Sequence, residues 1–439
     1  MKIQFALAAL FLAVAPLAAT TTETAWRTVD LAARPMNIAE NRGTLWVCGA
    51  DELVANSGDG GKTWSVNHVT RGGGVLLNIG FANEKFGYAA GTGGAFIVTK
   101  DGGVTWERIK APAQVIYAAS FSDQNHGLIQ TPRTILTTAD GGETWEPVKA
   151  DFTSSDLKGF SHVLELVALD PEHMSMVLSR GNASYFEQKH LITRDGGKTW
   201  HAINIPSTSL TKLIAHGGEY WFAGMEVIEK DKPGGGYGVP LVMHSPDGEN
   251  WTHLPRWSRN EFSTCGGQGC LYWDGAGVQI PPVNPVSYWK FAAEKAVTAK
   301  WAAASGSICS VAIDLKCAEM KITSEMPERR ENSSPIASLL APPPLDAPQA
   351  QGPQCIFCDI EKVMVTNDFQ GVADVELKLQ IAANGLVSQV EVLSSTKSEI
   401  GERVAATVRN WIFVPYEKDG VVHPVVTKVK LRTQAIKSK

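Results

Sequence analysis

The sequence predicts a mainly β protein: a β-propeller of six or seven blades, followed by a small C-terminal α+β domain. Three observations carry that expectation. The stretch "SGDGGKTW" at 57–64 returns as "TKDGGVTW" at 99–106, "TADGGETW" at 138–145, "TRDGGKTW" at 193–200 and, in worn form, "SPDGENW" at 245–251. Its aspartates, Asp59, Asp101, Asp140, Asp195 and Asp247, stand 42, 39, 55 and 52 residues apart, close to the length of a four-stranded propeller blade. Beyond residue 354 the repeat is absent, and alternating strands around one amphipathic helix replace it.

Each repeat reads as a hairpin turn. An aspartate side chain accepts hydrogen bonds from the backbone N–H groups just after it, and glycines supply positive φ without a Cβ clash. Thr and Trp then open the outgoing strand, where β-branched and aromatic residues suit a half-buried pleat. The architectural set is Asp59, Gly61, Thr63 and Trp64; Asp101, Gly103, Thr105 and Trp106; Asp140, Gly142, Thr144 and Trp145; Asp195, Gly197, Thr199 and Trp200; and Asp247 with Trp251. Each tryptophan is expected to pack between neighbouring sheets. A carboxylate bound to its own backbone is poorly placed for proton transfer, so no catalytic role is assigned to these aspartates.

The text between turns supports strands. "GYAAGTGGAFIVTKDGG" (87–103) reads as strand, glycine turn, alternating strand and box, and "LIQTPRTILTTADGG" (128–142) repeats that grammar. Residues 252–325 carry no box, yet "GCLYWDGAGVQI" (269–280) and "GSICSVAIDLKCAEMKI" (306–322) look like strand pairs, hence one or two degenerate blades in which cysteine pairs replace the turn. "AWRTVDL" (25–31) follows no box, as expected of a first strand that completes the last blade. Seven blades is the favoured count and six the alternative.

The layout is a leader at 1–19, the propeller at 20–324, a Pro-rich connection at 325–354 and the terminal domain at 355–439. The connection, "EMPERRENSSPIASLLAPPPLDAPQAQGPQ", has the composition of an extended spacer. In the terminal domain Val375, Leu377, Leu379 and Ile381 share one strand face, with Glu376, Lys378 and Gln380 on the other. "AANG" (382–385) turns the chain. Thr396 with Glu399 reads as a capping box for a helix carrying Ile400, Val404, Val408 and Trp411 on one side, with Pro415 as its stop. In "TKVKLRTQA" (427–435) Val429 and Leu431 point inward, and Lys428, Lys430 and Arg432 outward.

Composition bounds the function. With 439 residues, 44% apolar and 19% charged side chains and a net charge of −5, the chain has no like-signed block that would suit nucleic acid or an anionic membrane. "MKIQFALAALFLAVAPLAAT" reads as an export signal, with an uncleaved anchor as the alternative. In an exported chain the close pairs Cys265/Cys270, Cys309/Cys317 and Cys355/Cys358 are read first as disulfides, leaving Cys48 over. A redox-active dithiol and a metal site are the other readings of Cys355–Cys358. The lone histidines of "SHVLEL" and "PEHMSM" form no zinc-type spacing, and no cofactor or metal is implied.

"FANEKFGYAAGTGGAFIVTKDGGVTW" (81–106) and "FSDQNHGLIQTPRTILTTADGGETW" (121–145) resemble the Asp-box, or bacterial neuraminidase repeat, propellers. More closely they resemble the photosystem II stability and assembly-factor type, over residues 26–251. The resemblance implies the fold; the boxes are shared by many unrelated activities. A sialidase would need an arginine in an R-I-P-like strand, which "AARPMNI" (32–38) lacks, and two opposed carboxyl groups. Loop acids such as Asp156, Glu165, Asp170 and Glu172 show no pairing by spacing. "GLVSQVEVLSS" (385–395), "VRNWIFVP" (408–415) and "DGVVHPV" (419–425) are similar to the C-terminal domain of TonB energy transducers. That similarity implies a module that adds a partner's strand to its sheet edge, with Lys428, Val429, Lys430, Leu431 and Arg432 as the candidate edge.

The sequence thus points to an exported, periplasmic, non-enzymatic scaffold with protein partners in the cell envelope, with secretion or an inner-membrane anchor facing the periplasm as the alternative locations. It touches a membrane only if residues 1–19 persist. The inserts near 150–162 and 228–240 are the expected recognition loops. The alternatives are a glycan-binding or glycan-hydrolysing propeller and a membrane-anchored energy transducer.

Overall fold

Every box joins the third and fourth strands of a four-stranded antiparallel sheet. The computed structural model describes residues 27–150, 157, 162–182, 185–203, 209–216, 218–228, 237–253, 262–266, 269–273, 278–279, 288–290, 300–304, 307–311, 314–319, 321–323, 353–358, 371–418 and 421–435. Blade 1 is Pro35–Asn41, Thr44–Gly49, Val54–Ser57 and Ser65–His68, each strand paired with the next in sequence. Blade 2 (Leu76–Phe81, Gly87–Gly91, Phe96–Thr99, Glu107–Arg108) and blade 3 (Ala118–Phe121, Gly127–Gln130, Ile135–Thr138, Glu146–Pro147) repeat it. So do blade 4, from His162–Ala168 to His201–Ile203, and blade 5, from Ser209–His216 to Thr252–His253.

The boxless stretch makes two blades. Blade 6 holds Phe262–Gly266, Gly269–Trp273, Val278–Gln279 and Tyr288–Lys290, with Lys321–Thr323 added as a fifth strand after the chain has already built blade 7. Blade 7 is Lys300–Ala304, Ser307–Val311 and Leu315–Glu319, with Arg27–Val29 from the start of the chain as its outer strand. The first strand of each blade touches the first strand of the next, and Lys300–Ala304 touches Pro35–Asn41. Among the described residues the ring therefore closes at seven blades.

Packing occurs between blades as well as within them, because inner strands such as Gly87–Gly91 and Phe96–Thr99 are buried on both faces. Tyr88 and Phe96 of blade 2 share a cluster with Phe121 and Ile129 of blade 3. Leu128 and Ile135 of blade 3 meet Leu166, Met176 and Leu191 of blade 4.

The C-terminal module is a three-stranded antiparallel sheet, Val387–Ser395, Gly371–Ile381 and Val425–Ala435 in spatial order, with the helix Ser398–Val408 packed on it. Val375, Leu377, Leu379 and Ile381 are buried with Ile400, Val404 and Val408 in one core. Two local expectations are corrected here. Thr396 does not cap the helix: the N-cap position is Lys397, with no side-chain cap bond, and the Thr396 hydroxyl is engaged across the sheet. It accepts the Asp374 amide at 2.9 Å and donates to the Asp374 carbonyl at 3.2 Å. Nor does Pro415 stop the helix, which ends at Val408. The short strand Ile412–Phe413 intervenes, paired with Cys355–Phe357, and it draws the chain out of the helix before Trp411. Residues 1–26 and 324–352, Asp156 and most of the two inserts lie outside the described residues.

Candidate interaction face

The box geometry decides what these aspartates can do. The Asp101 carboxylate accepts the Thr105 amide at 2.9 Å and the Thr105 hydroxyl at 2.6 Å. Thr99 donates its hydroxyl to Asp101 at 2.8 Å, and its oxygen accepts the Gly103 amide at 2.7 Å. Asp59, Asp140 and Asp195 repeat the arrangement with Thr63, Thr144 and Thr199. In the worn fifth box Asn250 replaces the threonine, donating its amide at 2.8 Å and its side-chain Nδ2 at 2.6 Å to Asp247. The hydroxyl residue two before each aspartate, Ser57, Thr99, Thr138, Thr193 and Ser245, completes every box. Reasoning from the sequence missed it, although a Ser or Thr stands there in all five copies.

These bonds favour the ionised carboxylate. The hydroxyl and amide of the following threonine hold Asp101, Asp140 and Asp195 at about 2. Asp59 is lowered by the same contacts from Thr63. At Asp247 burial acts to raise the value and is outweighed by donors from Asn250 and Glu249. Carboxylates saturated in this way serve as turn anchors.

The tryptophan of each box faces the preceding blade, and so does the second glycine of the first, second and fourth boxes. A Cβ on Gly103 would lie 2.0 Å from Cη2 of Trp46 in blade 1, and one on Gly61 2.4 Å from Sγ of Cys317 in blade 7. Both glycines have φ in the left-handed region, 93° and 81°. Trp106 lies edge-on to Trp46 with ring centroids 6.1 Å apart, and Trp145 lies 6.2 Å from Phe96 of blade 2. Trp251 packs 6.0 Å from His190 of blade 4. Trp64 and Trp200 pack against the clusters of blades 7 and 3. Trp64, Trp145, Trp200 and Trp251 also donate their indole N–H to the carbonyl of their own box glycine. The box is thus both a turn and a spacer between blades.

Cys309 and Cys317 are disulfide-bonded across the facing strands of blade 7, under Gly61. Cys355 and Cys358 are bonded in the module. The register sets Cys265 opposite Cys270 in the first hairpin of blade 6. The Cys48 thiol is buried against the Leu76 carbonyl at 3.5 Å. Asp170 accepts the Glu172 and His173 amides at 2.8 Å in a tight turn, and Glu165 lies within the strand His162–Ala168. Among the described residues no group of three or more His, Cys, Asp or Glu side chains is arranged to hold a metal ion.

The geometry that sequence could not reveal lies where the inner strands of blades 1 to 3 begin. The C-terminal module is docked there. Leu386, Ile412, Val414 and Ile356 of the module pack with Met36, Ala50, Val75, Leu77, Val115 and Tyr117 of the propeller. Each such aliphatic side chain contributes about 1.5–3 kcal/mol when fully buried, before ordering costs. Polar contacts fix the register. Asn384 donates Nδ2 to the Gly73 carbonyl at 3.3 Å and accepts the Thr92 hydroxyl on its own carbonyl at 3.1 Å. Arg34 donates to the Asn410 carbonyl at 2.6 Å, and burial pulls its guanidinium down to about 10.

A buried acid supports this cradle from below. Glu52, fully buried and at φ 53°, is ion-paired with Arg108 of blade 2 and accepts the Gly74 amide at 3.3 Å. Its second oxygen has His68 Nε2 at 3.6 Å. Arg108 also donates to the Gly94 carbonyl at 2.9 Å. The pair therefore clamps the 70–75 loop and the 92–94 turn, the two segments that grip Asn384.

The strand Val425–Ala435 lies at the rim of the module sheet, paired on one side with Gly371–Ile381. Among the described residues no strand covers its other side. Lys428, Lys430 and Arg432 are exposed, while Val429 and Leu431 lean on the module core. Arg432 donates to Asp374 at 2.7 Å.

Residues 18–111 and 73–207 match the family model described as photosynthesis system II assembly factor YCF48, with its neuraminidase-type repeats. No curated protein matches the chain. Among solved structures, YCF48 bound to D1 peptide shares 16% identity over 67% of this chain and 97% of its own, at a TM-score of 0.38. YCF48 from Cyanidioschyzon merolae shares 15% over 67% and 98%, at 0.36. PorZ of Porphyromonas gingivalis, a surface component of the type-IX secretion system, shares 11% over 68% of this chain and 40% of its own, at 0.43.

Proposed function

We propose that the protein is an exported, non-enzymatic scaffold that binds proteins during assembly in the cell envelope. The carrying observation is the mounting of the module. Its docked side is fixed to the propeller through Asn384, Leu386 and Ile412, while among the described residues no strand pairs with the outer rim of Val425–Ala435, flanked by Lys428, Lys430 and Arg432. Unpaired backbone donors and acceptors on a firmly held strand suit an extended peptide adding as a further strand. The order strand, strand, helix, strand is what a TonB C-terminal-like module requires, and it supports that reading of residues 371–435. The family matched by residues 18–207 is described as an assembly factor, which favours the same class of function.

The test is affinity capture from envelope extracts with the mature full-length chain, alongside assays of glycan turnover and mass spectrometry of the N-terminus. The reading expects defined protein partners that are lost on Val429→Pro, which removes a ladder donor. It also expects no turnover and a mature chain starting after Ala19. Glycan hydrolysis without any captured protein would replace it with the glycan-active alternative.

A further inference from the structure

The propeller surface under the module has the features of a binding site. Two of its polar contacts go to backbone: the Thr92 hydroxyl donates to the carbonyl of Asn384 in the 382–386 turn, and the Arg34 guanidinium to that of Asn410, just past the module's helix. Such contacts recognise the shape of a turn more than its side chains. The Asn384 amide, donating to the Gly73 carbonyl, is the side-chain exception. Beside the turn Val75, Leu77, Val115 and Tyr117 form an apolar surface packed against Leu386, Ile412, Val414 and Ile356. The cradle itself is organised by Glu52 and Arg108, both propeller residues, and so does not need the module to hold its shape. The module has its own core of Val375, Leu377, Leu379, Val404 and Val408, distinct from the side chains it lays on the propeller.

We propose that residues 382–386 are a built-in ligand. The face over blades 1 to 3 is a site for a polypeptide turn that offers a backbone carbonyl and an aliphatic side chain, and the chain's own module occupies it in cis. An external protein carrying such a turn binds the propeller by displacing the module. The inference rests on the protein-binding reading above and adds to it the place and the chemistry of recognition. A tethered competitor at an effective concentration of about millimolar keeps the site closed to weak binders. Only a partner that matches the cradle better than the Asn384 turn opens it.

The experiment uses the full chain and a cyclised synthetic peptide of residues 380–388 as probe. The variant Asn384→Ala/Leu386→Ala weakens the latch from the module side and leaves the propeller surface intact. Oxidative labelling of the Met36 and Tyr117 side chains, which the module covers, should rise in this variant, and the peptide should bind it about tenfold or more tighter than the wild-type chain. Adding Thr92→Val should abolish that binding. Equal binding to both chains, no binding to a variant whose Met36 and Tyr117 label freely, or a variant in which both stay covered would each overturn the proposal. Envelope capture tests the broader reading separately: a chain that binds the peptide but captures no partner keeps the cis site and loses the scaffold.

Discussion

The Asp101 carboxylate takes both the amide and the hydroxyl of Thr105, at 2.9 and 2.6 Å, and so spends its acceptor capacity on closing a turn. Folded, Asp101, Asp140 and Asp195 protonate near 2, below the ordinary 3.8. The stability they contribute is whole above about pH 4 and is lost as the pH falls through 2. Thermal melting between pH 5 and 2 should show a steep fall in that window. Asp101→Asn should lower the melting temperature at pH 7 and make the acid fall shallower, since one titrating anchor is gone.

Gly103 is required by two independent constraints. Its φ of 93° is strained for any residue with a Cβ, and that Cβ would sit 2.0 Å from the Trp46 ring. Gly103→Ala should cost about 3 kcal/mol in chemical denaturation, from the left-handed backbone and from overpacking together. Gly58→Ala, at the edge of the first box with nothing within 4 Å of its Cβ, should cost far less.

The Cys309–Cys317 bridge lies in the blade that also receives the Arg27–Val29 strand, so it stabilises the seam where the ring closes. Arg27 reaches across that seam to the Lys62 carbonyl at 3.1 Å. Replacing both cysteines by alanine should lower unfolding stability by about 2–3 kcal/mol for a loop of this length. Because their sulfurs underlie Gly61, protease sensitivity should rise first at the blade 7 to blade 1 seam.

Arg108 and Glu52 connect blades 1 and 2, and Arg108 is about half exposed. Arg108→Met leaves the Glu52 carboxylate buried with the Gly74 amide and His68 still close to it. Solvent screening of the arginine limits the loss to about 1–2 kcal/mol. Amide exchange at 73–75 should nevertheless rise, because that loop rests on Glu52. A global destabilisation without local exchange would mean the pair does not hold the cradle.

How much of this was legible depended on how local the physics is. A box can be read from eight residues because Asp101, Thr105 and the intervening glycines supply both partners of nearly every bond. The outer strand Arg27–Val29 could be anticipated because "AWRTVDL" follows no box, as expected of a strand that completes the last blade. Other features need residues that no local pattern brings together. Gly103 needs Trp46 from another blade, and the fifth strand of blade 6, Lys321–Thr323, arrives only after blade 7 is built. Asn384 reads as a solvent-exposed turn until the Thr92 hydroxyl, 292 positions earlier, is found on its carbonyl. Thr396 misled for the same reason: its cross-strand partner Asp374 wins over the helix end that its sequence context suggests.

His190 gives a second, separable pH window. It is buried, paired with the Ser175 hydroxyl and packed 6.0 Å from Trp251, and burial pulls its imidazole from 6.5 down to about 3. The unfolded chain binds a proton there below 6.5 while the folded chain does not, so stability falls as the pH drops from 6.5 toward 3. The slope from one such group is about 1.4 kcal/mol per pH unit. His68, also lowered by burial, acts in the same direction. His190→Gln keeps a polar partner for Ser175 but removes the proton, so stability between pH 6 and 4.5 should flatten, while the aspartate-driven fall below pH 4 remains. Denaturant midpoints at half-unit pH steps separate the two. If the variant keeps the full wild-type slope above pH 4.5, His190 is not the neutral group at the seam of blades 4 and 5.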